Sequence, residues 1–206
     1  MQVHPAGATH STFLEEEKTF DYLLVIHPDS QVSEDVKGMK MQLANALGYY
    51  NSQFSNAYIS LFRSEFPERF EASFIDMLET VSRRQHGFTI YTSRLEKFDL
   101  GNSKHTIYVN VANPKPVTEL HRKIMQLFSI GGGQFKPHIT VARAINSAQL
   151  EKVHPHVHNQ LFVRSFECHG FLLLRKPVRG GHYEVVKAFT FGDTEAQGNT
   201  LFNHAA

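Results

Sequence analysis

Two stretches of this chain carry one pattern. Tyr58-Ile59-Ser60-Leu61-Phe62-Arg63 and His138-Ile139-Thr140-Val141-Ala142-Arg143 each place a ring residue, an apolar residue, a hydroxyl and another apolar residue in turn, with an arginine five positions after the ring. In a strand, alternate side chains share a face. His138 and Thr140 therefore point one way, and the β-branched Ile139 and Val141 point into the core behind them. Tyr58 and Ser60 repeat that register. Pro137, just before the histidine, suits the start or the edge of a strand. Two copies of one strand imply a duplicated unit whose halves share a cleft, and this narrows the fold more than any other feature of the sequence.

The order of elements supports the duplication. Residues 20–26 form a strand that ends at His27-Pro28-Asp29-Ser30. Val32, Val36, Met39, Leu43, Ala46, Leu47 and Tyr50 then fall at helical spacing, with Ser30 or Ser33 as N-cap. After the Tyr58 strand, Phe70, Phe74, Met77, Leu78 and Val81 mark a second helix starting near Pro67, because proline is tolerated in a first turn. Strands at 88–91 and 105–111 follow, joined by a polar loop that holds Gly101-Asn102-Ser103. Val117, Leu120, Ile124, Leu127 and Phe128 give a third helix that stops at Gly131-Gly132-Gly133, where glycine offers a left-handed cap. After the His138 strand come a short helix from Ser147 to about Val153 and two strands, at 162–175 and 182–191.

Each half reads strand, helix, motif strand, helix, strand, and strands can be swapped between halves. The expected class is α+β: two pseudo-symmetric lobes of mostly antiparallel strands, helices packed outside, and a central cleft. Residues 1–18 read as an irregular arm, 19–191 as one bilobal body undivided by any low-complexity linker, and 192–206 as a loose tail.

Composition sets outer bounds. With 206 residues, 41% of them hydrophobic, the chain can bury a real core. Cys168 is the only cysteine, which excludes an intramolecular disulfide. A net charge of +1 argues against a strongly electrostatic nucleic-acid binder, whereas a small anion needs only a few cations. Residues 1–18 lack the basic start and apolar run of a secretory signal. The apolar runs at 22–26 and 171–174 are too short to cross a bilayer. A cytoplasmic protein with no membrane contact and no stable protein partner is the expectation.

With Lys136-Pro137-His138-Ile139-Thr140-Val141-Ala142-Arg143 preceded by a helix and followed by a helix and two strands, the chain resembles the 2H phosphoesterase superfamily, also called 2′-5′ RNA ligase or cyclic phosphodiesterase-like proteins. The resemblance spans roughly residues 20–191. It implies a cleft lined by two copies of histidine, apolar, threonine or serine, apolar, acting on a phosphodiester without metal or other cofactor. One histidine takes a proton from the attacking oxygen, the other gives one to the leaving oxygen, and the hydroxyls hold the phosphoryl oxygens. Carried over, His138 is a catalytic histidine, Thr140 its phosphate-holding hydroxyl and Ser60 the matching hydroxyl.

At the first histidine position this sequence has Tyr58. An unperturbed tyrosine titrates near about 10 and a histidine near about 6.5, so Tyr58 is a proton donor and a poor base at neutral pH. Acid–base help of this kind is worth about 10²–10⁴ in rate. Two functions follow from the resemblance. One is a phosphodiesterase of the 2H type acting on 2′,3′-cyclic or 2′-5′ phosphodiesters of nucleotides or RNA ends. The other is a nucleotide or RNA-end binding module that keeps the cleft after losing catalysis. Either takes a small phosphodiester or an RNA terminus as partner.

Arg63 and Arg143 are further candidates, since a guanidinium pairs well with phosphoryl oxygens. Strict alternation puts each on the face opposite its ring residue unless the strand bends or ends. His154, His156 and His158 alternate as metal ligands would in an extended segment, but Pro155 and the lack of nearby carboxylates or cysteines favour a solvated loop without metal. The three glycines leave a helix and enter a strand, the reverse of a phosphate-cradling loop. His27, His105 and His121 read as surface or core positions, with His105 a distant candidate for the missing ring. Cys168 and His169 point to opposite faces of a strand. Phe62 and Tyr183 are candidates to stack a base at the cleft rim.

Overall fold

The computed structural model describes residues 17–129 and 133–192. Nearly all of the expected arm and tail, and Gly131 and Gly132, lie outside the described residues. In chain order the elements are β1 (Thr19–Ile26), α1 (Ser30–Leu47), β2 (Ile59–Pro67), a 3₁₀ turn (Glu68–Phe70), α2 (Glu71–Arg83), β3 (Phe88–Asp99), β4 (Lys104–Val111), α3 (Pro114–Leu127), β5 (His138–Asn146), α4 (Ser147–Val157), β6 (Ser165–Cys168), β7 (Gly170–Pro177) and β8 (Glu184–Thr190).

The strands form one antiparallel sheet in the order β6-β3-β4-β5-β2-β1-β7-β8. The fold is α+β, and the two motif strands, β5 and β2, lie at its centre. They meet at Ile59 opposite Ile139. Each lobe draws strands from both halves of the chain, so β7 and β8 complete the lobe of β1 and β2, while β3 and β4 join β5. The swapping allowed by the sequence pattern is realised.

Hydrophobic periodicity explains the core. Tyr22, Leu24 and Ile26 of β1, Ile59 and Leu61 of β2, and Ile139 and Val141 of β5 share one buried cluster with Val32, Val36 and Leu43 of α1. Phe74 and Leu78 of α2, Val117, Leu120 and Ile124 of α3, and Val153 of α4 belong to it as well. Each such side chain contributes about 1.5–3 kcal/mol when fully buried. The sheet's central strands are thereby held rigidly beneath the cleft.

Several element ends differ from expectation. Asp29, rather than Ser30 or Ser33, caps α1, its Oδ1 accepting from Val32 N at 2.8 Å. Pro67 closes β2, and α2 begins at Glu71 after the 3₁₀ turn. Helix α3 stops before the glycines, with Ser129 taking a positive φ of 52°. A capping box at Asn146 and Gln149 starts α4, which continues through Pro155 to Val157. Strand β3 reaches Asp99, its alternation hidden by a register shift between Thr92 and Leu95.

The expected strand at 162–175 is two strands on different parts of the sheet. β6 pairs with β3 at one edge, and β7 pairs with β1 towards the other. Only His169 separates them. One residue spans a few ångströms, so the sheet must curl until its two ends approach. Phe191 N donates to His169 O at 2.8 Å across this crossing.

Candidate active site in the central cleft

The antiparallel pairing of Ile59 with Ile139 puts Ser60 across from His138 and Tyr58 across from Thr140. Both isoleucines are fully buried in the core, so these four side chains share the opposite face. They form the cleft floor.

Each motif strand carries a bulge at the equivalent place. In β2, Val25 pairs with Ser60 and Leu24 with Phe62, which leaves Leu61 as an extra residue. In β5, Tyr108 pairs with Thr140 and Ile107 with Ala142, which leaves Val141 extra. A bulge shifts the alternation by one. Arg63 and Arg143 therefore return to the face of the hydroxyls, and the objection from strict alternation is removed by a bend in each strand.

Two ends of the floor can be distinguished. Ser60, Arg63 and His138 line a cavity of about 900 Å³ with Lys136, His121 and Phe135. Tyr58, Thr140 and Arg143 line a smaller pocket of about 180 Å³ with Asn51, Ser52, Ser55 and Asn56. All six candidates thus reach the cleft, three at each end.

His138 Nδ1 lies 2.8 Å from the Lys136 carbonyl. A carbonyl only accepts, so Nδ1 carries the proton and Nε2 keeps its lone pair. The ring sits edge-on to Phe98 and Tyr108, at 5.0 and 5.1 Å between centroids. Burial, aided by the charges of Lys136 and Arg143, holds its pKa below the ordinary histidine value. The imidazole is neutral at neutral pH. Lys136 itself is held by Glu96 at 2.8 Å and the Tyr108 hydroxyl at 2.7 Å.

The two arginines differ in availability. Arg63 grips Asp21 with two bonds, at 2.9 and 2.7 Å. The Tyr183 hydroxyl donates to the same carboxylate at 2.7 Å, and Lys176 lies 3.8 Å away. Burial alone would raise the Asp21 pKa; the bonds from Arg63 and Tyr183 outweigh it and keep the carboxyl below its usual range. Arg63 is thus already neutralised. Arg143 has no carboxylate partner among the described residues, and its backbone N–H donates to Ser52 Oγ at 2.8 Å.

Other sequence expectations are corrected. His105 is remote from the cleft, bonded to Asp99 at 2.7 Å and Ser147 at 3.0 Å, and replaces nothing at the Tyr58 position. His121 lines the larger cavity, stacked on Phe135 at 3.8 Å. The Phe62 ring packs against Phe74 and Phe128 and also lines the larger cavity, while Tyr183 donates to Asp21 and has Lys176 over its ring. His154 and His156 are helical rather than in a loop, and His154 stacks on His158 at 4.9 Å. Among the described residues no three His, Cys, Asp or Glu side chains converge as metal ligands. Burial pushes the Cys168 thiol up to about 12, and no described helix is long and apolar enough to cross a membrane.

Asp21, Lys136 and Ser52 were not singled out by sequence. Asp21 left a signal, as the one charge inside the apolar run 20–26; a charge buried in a strand needs a partner. Ser52 left none, because its role arises only when the 49–58 loop meets β5.

A sequence profile of the 2′-5′ RNA ligase superfamily matches residues 28–179. The chain belongs to that superfamily. The 2H resemblance read from the His138 strand is thereby established, and the matched span contains both motif strands. Among solved structures, TT0787 of Thermus thermophilus superposes on this superfamily member with a TM-score of 0.65 and 18% identity, covering 84% of this chain and 99% of its own. E. coli LigT in apo form gives 0.64 and 16%, covering 85% and 99%. LigT complexed with 3′-AMP gives 0.62 and 17%, covering 84% and 98%. At such identities these structures establish the shared fold. No curated protein sequence matches the chain.

Proposed function

We propose that this superfamily member is a metal-independent phosphodiesterase of the 2H type, acting on 2′,3′-cyclic or 2′-5′ phosphodiesters of nucleotides or RNA ends. The observation that carries this reading is the neutral His138, its Nε2 free as a base beside Ser60 on a floor shared with Thr140, Arg143 and Tyr58. The LigT complex with 3′-AMP adds support for a small nucleotide ligand in a fold of this kind.

In the proposed reaction His138 Nε2 takes a proton from water, which attacks phosphorus. The bond to one ribose oxygen breaks, and the Tyr58 phenol returns a proton to that oxygen. Thr140 and Ser60 donate to the non-bridging oxygens, and Arg143 balances their charge. Arg63, paired with Asp21, shapes the floor. Tyr58 also favours a second reading, because a phenol gives up its proton reluctantly at neutral pH and help to the leaving oxygen is then weak. In that reading the cleft recognises a phosphorylated nucleotide or RNA end without turnover.

The deciding experiment is a product-resolved assay of nucleoside 2′,3′-cyclic phosphates and short RNA ends in the presence of chelator. The native protein is expected to open the ring, and His138→Ala to do so about 10²–10⁴-fold more slowly. If the native protein turns nothing over but binds phosphate-bearing ligands through His138, the recognition reading replaces the enzyme.

A further inference from the structure

Lys40, on α1, is 1% exposed. Its ammonium donates to Ser55 O at 2.7 Å and Ser55 Oγ at 2.8 Å. No carboxylate lies within ion-pair distance of it among the described residues. Lys40 and Ser55 also line a cavity of about 380 Å³ with His27 after β1 and with Glu34 and Lys37 of α1. The Tyr50 hydroxyl donates to the Lys40 carbonyl at 3.0 Å. A buried ammonium with no counter-charge is costly, so its presence needs a reason.

The bonds lead from Lys40 to the smaller pocket of the cleft. Ser55 Oγ donates to Ser52 O at 2.9 Å, and Ser52 Oγ accepts from Arg143 N at 2.8 Å. Ser52 and Ser55 line that pocket together with Asn51, Asn56, Tyr58, Thr140 and Arg143. Asn51, Asn56, Tyr58, Thr140 and Arg143 can donate hydrogen bonds to a ligand, the Ser52 and Ser55 hydroxyls being engaged by Val141 O and Ser52 O, and none of the seven is a carboxylate. A volume of about 180 Å³ suits a tetrahedral oxyanion rather than a nucleoside.

We propose that the smaller pocket anchors the ligand's phosphoryl group and that Lys40 is its buried counter-charge. Lys40 is a positioning residue: through Ser55 and Ser52 it holds the 49–58 loop against Arg143, and its charge draws the anion. The inference rests on the phosphodiester reading for the kind of anion. Burial lowers the Lys40 pKa to about 8. The ammonium is therefore charged at neutral pH, and a neighbouring anion raises its pKa, so binding takes up a proton around and above that value.

The test is calorimetric titration with sulfate, a tetrahedral dianion whose own charge is fixed over the range studied. Native protein is expected to bind sulfate with proton uptake near pH 8, read from the dependence of the heat on buffer, and with affinity falling as pH rises through that value. Lys40→Met keeps the apolar stem and removes the charge. It is expected to weaken sulfate binding about tenfold at neutral pH, to lose the falling limb, and to keep or raise the Tm.

Absence of sulfate binding, or binding without proton uptake in the native protein, overturns the inference even if the variant fails to fold. So does a variant with lower Tm and an unchanged pH limb, which would make Lys40 merely structural. The two readings fail separately. Ring opening that needs His138, without Lys40-dependent anion binding, sinks this inference alone; Lys40-dependent binding without ring opening sinks the enzyme alone.

Discussion

At the Tyr58 position the register of the fold and the chemistry of the side chain part company. Tyr58 stands to Thr140 as His138 stands to Ser60, but a phenol gives a proton far more readily than it takes one at neutral pH. The expected consequence is a one-sided pH profile. At saturating substrate kcat rises as His138 loses its proton, below the ordinary histidine pKa because burial depresses it, and then stays level. Tyr58→His adds an imidazole that must be protonated to act as acid, so kcat is expected to rise by about 10²-fold or more and its profile to become a bell. A native profile that is already a neutral bell would remove Tyr58 from the acid's role. At this scale the sequence was readable where copies repeat: Tyr58, Ser60, His138 and Thr140 all sit where the two patterns place them. For Arg63 and Arg143 strict alternation left the face open to a bend, and the bulge that supplies it in each strand leaves no mark in the pattern.

Among the elements, the bulges at Leu61 and Val141 re-aim an arginine each, and the 49–58 loop fixes one of them. Ser52 ties that loop to β5 through the Arg143 amide. Ser52→Ala is expected to cost about 1 kcal/mol in stability by urea unfolding, the worth of one ordinary hydrogen bond. It is also expected to raise KM for a phosphodiester several-fold with kcat little changed, since Arg143 then loses its support. Element order was legible because apolar spacing marks which face of a strand or helix the core can cover. Element ends were less so. Pro155 sits inside α4 despite its usual breaking effect, and polar residues on the cleft side of β3 masked that strand's full length.

For the molecule as a whole, what the sequence could not show was the step at His169, where a seemingly continuous strand leaves one edge of the sheet and enters near the other. Gly170 makes that step possible. A Cβ there would lie 2.1 Å from Phe189 O, a backbone atom with little freedom to move. Gly170→Ala is expected to destabilise the fold by about 3 kcal/mol, the upper end for overpacking, measured by urea unfolding. Gly38→Ala, on the exposed side of α1 with nothing within 4 Å of its Cβ, serves as the contrast and is expected to stabilise by up to about 1 kcal/mol.

The same crossing fixes how the repeats depend on each other. The lobe of β1 and β2 is completed by β7 and β8, and the lobe of β5 by β3 and β4. A chain cut between the repeats would leave each fragment with half of two lobes and no complete floor. If an ancestral half-length protein existed, it had to assemble as an interlocked pair, and after fusion the repeats were free to diverge at single positions such as Tyr58 but not to separate.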